Sequence, residues 1–355
     1  MNALDQYRNR NALRRFLKHP KIPCGDQITN ISEVLNLDDI RGILRHIHGR
    51  TGRNKVLTAV RGHRLAVIDG HEINCSYKRC CDECQQRRMI VNGEERIQYY
   101  HRAVIFQLVG KDFRLLLDLE MLLPHDDEGT AAMRLIERVL RCYPRSFDIL
   151  LGDGLYPQAR LFKLLRRHNK HIIAVLKDDR RDLLKDARGL FDDCRKTSYR
   201  LGNTLYQCRD VENLRSWDSF PEQVRVVQSI ETTTFRERIA HKWINRTRTS
   251  EWIWVTTLSA SEVCTKNIVF FGHERWRIEN EGFNELCTHW HANHYFRHNA
   301  TSIIAFWLIL FIAHALFHCL LRNLKPAIRA GRTMLYWAQQ IFGDLISDRW
   351  SFSSA

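Results

Sequence analysis

Two short apolar runs end in an aspartate followed by a glycine: Val67-Ile68-Asp69-Gly70 and Leu150-Leu151-Gly152-Asp153-Gly154. Each reads as a buried strand, and ligands of open α/β sheets gather at the carboxyl ends of strands. A single aspartate at such a place is most often a turn-former or a helix N-cap. Two on neighbouring strands would set two carboxylates on one rim, where they repel until a proton or a cation intervenes. Carboxylates and water suit Mg²⁺ or Mn²⁺. A third acid is offered by Arg275-Trp276-Arg277-Ile278-Glu279. On a helix Arg275 and Glu279 stand one turn apart on one face, which alone would be an ordinary surface ion pair. Trp276, Phe283 and Leu286 can then pack inward while Glu279 faces the rim. Glu281 and Glu285 compete for the role, but Glu281 points to another face and Glu285 lacks the preceding arginine.

The elements that must position these acids alternate in period. Residues 1–60 form a basic helical region, with a helix in Asn11–Lys18, a break at Pro20 and Pro23, and a second helix over Ile31–His48. The cationic loop Gly49–Lys55 lacks the Walker spacing and is at most a phosphate contact. Over 61–190 strands alternate with helices: the run at 64–70, a hairpin of 102–109 with 113–119, a helix over 128–143, the strand before Asp153, a helix over 155–167 and a strand over 171–176. That alternation argues for an α/β layer around a central sheet. Over 191–262 the helical period gives way to β-type runs at Thr204–Cys208, Val224–Ile230 and Trp252–Leu258, an all-β insertion. Helices resume over 263–355.

Composition narrows the class of partner. The 355 residues carry 55 Lys+Arg against 40 Asp+Glu, a net charge of +15. Such a surplus argues against a small-metabolite enzyme and for a polyanion, nucleic acid ahead of an acidic membrane surface. With 44% apolar residues the chain can fill a core, which excludes wholesale disorder. Eleven scattered cysteines and a polar, basic start without an apolar signal segment point to a reducing cytoplasm. The 19-residue run Ile303–Leu321, interrupted only by His314 and His318, has the length of a membrane span. Its two histidines and the absence of a second span favour a helix buried all round, with no membrane.

The order Val67-Ile68-Asp69-Gly70, then Gly152-Asp153-Gly154-Leu155-Tyr156, then Arg275-Trp276-Arg277-Ile278-Glu279 resembles the DDE transposases of bacterial insertion sequences. It is most similar to the group with a β-rich insertion between the second Asp and the Glu, over about residues 60–322, including Glu279-Asn280-Glu281-Gly282-Phe283-Asn284. The resemblance implies an RNase H-like mixed sheet flanked by helices, interrupted by the β insertion and preceded by a short helical region. It implies that Asp69, Asp153 and Glu279 are the catalytic acids and chelate two divalent cations, Mg²⁺ or Mn²⁺, for phosphodiester cleavage and strand transfer at element ends. Asp69 would bridge the two and Arg275 would neutralise phosphate. Implied partners are terminal-repeat and target DNA and further copies of the chain, as a homodimer or higher synaptic assembly in the nucleoid-associated cytoplasm. Two places depart from the family: its usual Tyr seven residues before the Glu and Lys seven after are Gly272 and Leu286 here. The chain is also expected to begin inside the longer N-terminal region of family members. These departures support the alternative of a catalytically decayed or repurposed DNA-binding protein with the same fold.

Further clusters could serve such a protein. Arg236, Arg238, Lys242, Arg246 and Arg248 crowd the β insertion around Trp243, where cations meet phosphate and an aromatic can stack on a base. The plainer reading is a solvated strand face with Trp243 in the core. Arg14 and Arg15, with Arg8, Arg10, Lys18 and Lys21, form a second cationic stretch for duplex DNA. Cys75, Cys80, Cys81 and Cys84 with His101 could make a zinc knuckle, since Cys81 and Cys84 have CxxC spacing. No second CxxC follows at finger distance, so free thiols in a hairpin excursion are the weightier reading. His314 and His318 stand four apart without the glutamate of an HExxH site and read as core histidines.

Overall fold

The computed structural model describes Lys18, Lys21 and residues 23–177, 182–239, 242–293 and 298–346. The expected helix at 11–18 and the expected DNA contacts Arg14 and Arg15 lie outside these residues. The chain divides into two compact units, one of His48–Glu72 with Arg102–Asn284, the other of Met1–Ile47, Ile73–His101 and Glu285–Ala355.

The fold is mixed α/β, and among the described residues ten strands form one mixed sheet flanked by helices. In chain order they are β1 (Leu65–Ser76), β2 (Gln85–Val91), β3 (Glu94–Val109), β4 (Arg114–Met121), β5 (Ile149–Gly152), β6 (His171–Val175), β7 (Thr197–Leu201), β8 (Thr204–Leu214), β9 (Val224–Ile239) and β10 (Lys242–Thr256). They lie side by side as β2-β3-β1-β5-β6-β10-β9-β8-β7, with β4 also on β3.

In the larger unit β1, β5 and β6 are parallel. Their apolar runs, Leu65-Ala66-Val67-Ile68 and Ile149-Leu150-Leu151, are buried on both faces, as central parallel strands must be. The crossover from β5 to β6 is the helix Ala159–Arg167, which starts later than the sequence pattern predicts because Pro157 delays it. The helix Glu128–Cys142 packs on β4 through Leu135, Ile136, Val139 and Leu140. Asp127 caps it, accepting the Thr130 amide at 2.6 Å, so Glu128 is its first residue and not its cap. The expected β insertion holds β7 to β10, antiparallel throughout. It is no separate layer: β10 pairs with β6, Trp254 against Val175 and Thr256 against Ile173, and so extends the sheet. β9 and β10 are longer than predicted because their outer halves are polar and exposed. Threonines there favour an extended backbone without giving an apolar alternation.

The smaller unit holds the hairpin of β2 with the first half of β3 and the helices Gly25–Ser32 and Ala300–Asn323. Helix Leu37–Arg53, expected over 31–48, begins later and absorbs most of the predicted loop at 49–55. Asp38 and Asp39 in its first turn and Arg50 and Arg53 in its last match the helix dipole. Helix Ala300–Asn323, capped by Asn299, is long and apolar enough to cross a membrane, yet half of its most apolar window is buried. Ile303, Trp307, Leu308 and Phe311 are almost fully enclosed, whereas Ile309, Leu316 and Leu320 are exposed, so the helix is buried along one side and not all round as expected.

Candidate active site

Asp69 does not end its strand, since β1 runs on to Ser76. What ends near it is the parallel ladder with β5, whose last pair is Val67 with Leu151. Carrying that register two residues further brings Asp69 abreast of Asp153, which directly follows the last residue of β5. The expected pair of acids thus stands side by side at the carboxyl edge of the parallel strands.

Glu279 arrives from the far end of the unit's sequence. Helix Thr265–Glu274 is followed by Arg275 and then by a π-helical segment, Ile278–Phe283. Such segments are rare and concentrate at functional sites. Arg275 Nη1 donates to Glu279 Oε1 at 2.6 Å and to Asp69 Oδ2 at 3.2 Å. One buried guanidinium therefore links the first acid to the third. The Asp69 side chain is 12% exposed and that of Glu279 47%, so the site runs from a buried floor to an open rim. Burial pushes the Asp69 carboxyl up to about 8; Arg275 opposes the shift, and the charges of Asp153 and Glu279 add to it. An acid so placed favours its protonated form near neutral pH.

A fourth carboxylate, Glu128, was not legible as a site residue. Its Oε1 accepts from the Tyr156 hydroxyl at 2.7 Å, and its Oε2 pairs with Arg102 at 2.6 Å. Burial holds the Glu128 carboxyl above its ordinary value, and the charge of Asp153 contributes. Gly70 lies beneath it, where a Cβ would overlap the Glu128 carboxylate and force it to shift from Tyr156 and Arg102. The glycine after Asp69 and the tyrosine three residues after Asp153 were the available signals. Both serve the same buried acid.

Other expectations divide. Glu281 pairs with Arg114 and with Arg277, away from the acids, and Glu285 lies 2.7 Å from His318 Nε2 and 3.3 Å from His314 Nε2. The two helix histidines therefore hold a carboxylate, which lowers the Glu285 pKa through hydrogen bonds from both against the effect of burial. Gly272 lies under Trp254, whose indole leaves no room for a side chain, and Leu286 is fully buried. Trp276 packs edge-on against Trp252, at 4.9 Å between centroids.

Trp243 is 61% exposed and not in the core. Register places it opposite Arg238, with Arg236 opposite Asn245, so these three share one face of the β9–β10 ribbon. Lys242, Arg246 and Arg248 take the other face, where Arg246 pairs with Glu237 at 3.0 Å. The expected single patch is two-sided. Beside the end of helix Thr265–Glu274 an open cleft of about 320 Å³ is lined by stacked Tyr199 and Tyr206, Lys266 and Trp276.

Among the described residues, the sets of side chains whose ligand atoms all lie within 4.8 Å are Cys81, Cys84, His101 and His298, and Glu285, His314 and His318. The three acids are not drawn so close, and Arg275 stands between Asp69 and Glu279. Of the expected zinc ligands Cys80 stays outside, exposed, and His298 takes its place. No protein-family model and no curated protein matches the chain.

Proposed function

We propose that the protein is a DDE-type transposase with an RNase H-like core, which cuts and joins DNA at the ends of a mobile element. The observation that carries this reading is the parallel ladder ending at Val67 with Leu151, whose register, continued two residues, leads to Asp69 and Asp153, with Arg275 tying Glu279 to Asp69. The oxygen-only donor set, and an Asp69 carboxyl raised to about 8 by burial beside Asp153 and Glu279, fit Mg²⁺ or Mn²⁺. Asp69, Asp153 and Glu279 would hold the ions. Two such cations would supply activation of the attacking water or 3′-hydroxyl and charge relief at the departing oxygen.

The chain's own groups do the rest. With cations held at the three acids, Asp69 would stand as a carboxylate, its proton passed to solvent, and Arg275, which pairs with both Asp69 and Glu279, would be placed to neutralise the scissile phosphate. Glu128, fixed by Tyr156 and Arg102, stiffens the strand edge through Gly70. DNA, as terminal repeats and target, would lie along the cationic ribbon, with Trp243 and the Tyr199–Tyr206 cleft offering stacking surfaces. Synapsis of two ends calls for at least two copies of the chain in the nucleoid.

The buried Leu286 and the occupied space over Gly272 favour a second reading, a DNA-binding protein that no longer cuts. A supercoiled plasmid carrying the DNA from either side of the gene separates the two. The transposase gives Mg²⁺- or Mn²⁺-dependent breaks at the element ends. Tight binding with the plasmid left intact would favour the second reading.

A further inference from the structure

The smaller unit brings together four soft and borderline ligands. Cys81 Sγ and Cys84 Sγ lie 3.8 Å apart, too far for a disulfide. His101 Nε2 is 3.4 Å from the first sulfur and 3.5 Å from the second, and His298 Nε2 is 2.9 Å from Cys84 Sγ. A tetrahedral zinc ion with Zn–S of about 2.3 Å and Zn–N of about 2.0–2.1 Å sets its ligands apart by about 3.8 Å for S···S and about 3.5 Å for S···N. Three of the four distances meet those values, and the fourth needs His298 to move outward by roughly 0.6 Å.

The backbone around the pair is shaped for the same purpose. Cys84 N–H donates to Cys81 O at 3.1 Å, which closes a turn, and Cys81 N–H donates to Cys84 Sγ at 3.4 Å, which would stabilise a thiolate. Both ligands of the CxxC turn and His101 on β3 are local, whereas His298 immediately precedes Asn299, the cap of helix Ala300–Asn323.

We infer that Cys81, Cys84, His101 and His298 form a structural Cys₂His₂ zinc site that fastens the turn before β2 and the middle of β3 to the start of helix Ala300–Asn323. Four protein ligands leave no open position, so the metal is a staple and takes no part in chemistry. Its fastening joins segments far apart in sequence, where a cross-link constrains the unfolded chain most. Glu285, His314 and His318 supply only three ligands, with Glu285 Oε1 2.7 Å from His318 Nε2 and 3.3 Å from His314 Nε2.

The test is zinc content of the purified full chain by mass spectrometry after dialysis, together with Co²⁺ substitution. About one zinc per chain is expected, with the visible absorption of tetrahedral S₂N₂ cobalt after exchange. Cys84→Ser and His298→Ala should lose the metal, while Cys80→Ser keeps it. Asp153→Asn should keep it too, so failure of the transposase reading leaves this result untouched. Where Cys84→Ser does not fold, titrating the wild type with a mercurial should release zinc in step with modification of two thiols. A wild type that takes up no stoichiometric zinc overturns the site, as does full zinc retention in His298→Ala and Cys84→Ser.

Discussion

Replacing Asp69 by asparagine should stabilise the protein in the absence of Mg²⁺ and Mn²⁺, by an amount that grows with pH. The Asp69 carboxyl is held at about 8 in the folded chain against 3.8 when free. Between those values the unfolded chain has lost this proton and the folded chain keeps it, so rising pH favours unfolding. The slope is about 1.4 kcal/mol per pH unit, present above pH 4 and exhausted above pH 8. At pH 7 the accumulated cost is about 4 kcal/mol, and the side chain is buried enough that solvent does not screen it away. Asparagine keeps a carbonyl to accept from Arg275 and removes the ionisation. Urea unfolding midpoints of wild type and Asp69→Asn, at pH 5, 6 and 7, should therefore diverge with pH, because groups that do not interact with Asp69 cancel in the difference. Added Mg²⁺ or Mn²⁺ should close the gap in the wild type, with affinity rising about tenfold per pH unit as one proton is released. Parallel lines, or a variant less stable at pH 7 than at pH 5 relative to wild type, would refute the argument.

Three further outcomes follow from the same geometry. Gly70→Ala should cost about 1–3 kcal/mol of stability, since its Cβ overlaps the Glu128 carboxylate, and the denaturation midpoint will report it. Tyr156→Phe leaves Glu128 Oε1 without its hydroxyl donor and should cost about 1–3 kcal/mol by the same measurement, with a normal far-UV spectrum. Trp243→Ala should leave stability within about 0.5 kcal/mol of wild type, because the ring is exposed, yet weaken single-stranded DNA binding by about 1–3 kcal/mol in a fluorescence titration.

Much of the parallel core could be read directly, because β1, β5 and β6 are buried on both faces and announce themselves as unbroken apolar runs. The two aspartates were legible for the same reason, each interrupting such a run at its end. The outer halves of β9 and β10 were not, since strand pairing there leaves no apolar alternation to detect. Glu128 was hidden by its place at the start of a helix, where an acid already has a sufficient electrostatic reason to be. His298 was hidden by distance along the chain: nothing local marks a histidine that meets Cys84 only after folding. Cys80 illustrates the converse, a neighbour of the right type that the turn points elsewhere. Gly272 and Leu286 were legible only as departures from the family pattern; the fold adds that one lies beneath Trp254 and the other is enclosed, so neither place presents a side chain to DNA.

The central claim is that three acids from separate parts of the larger unit act as one site. The most direct measurement is the rate of Mg²⁺-dependent cleavage of element-end DNA by wild type and by Asp69→Asn, Asp153→Asn and Glu279→Gln, each first shown to bind that DNA. All three single variants should lose about 1,000-fold or more, about 4 kcal/mol of barrier, while Glu281→Gln stays near wild type. A wild-type rate in any one of the three would contradict the claim.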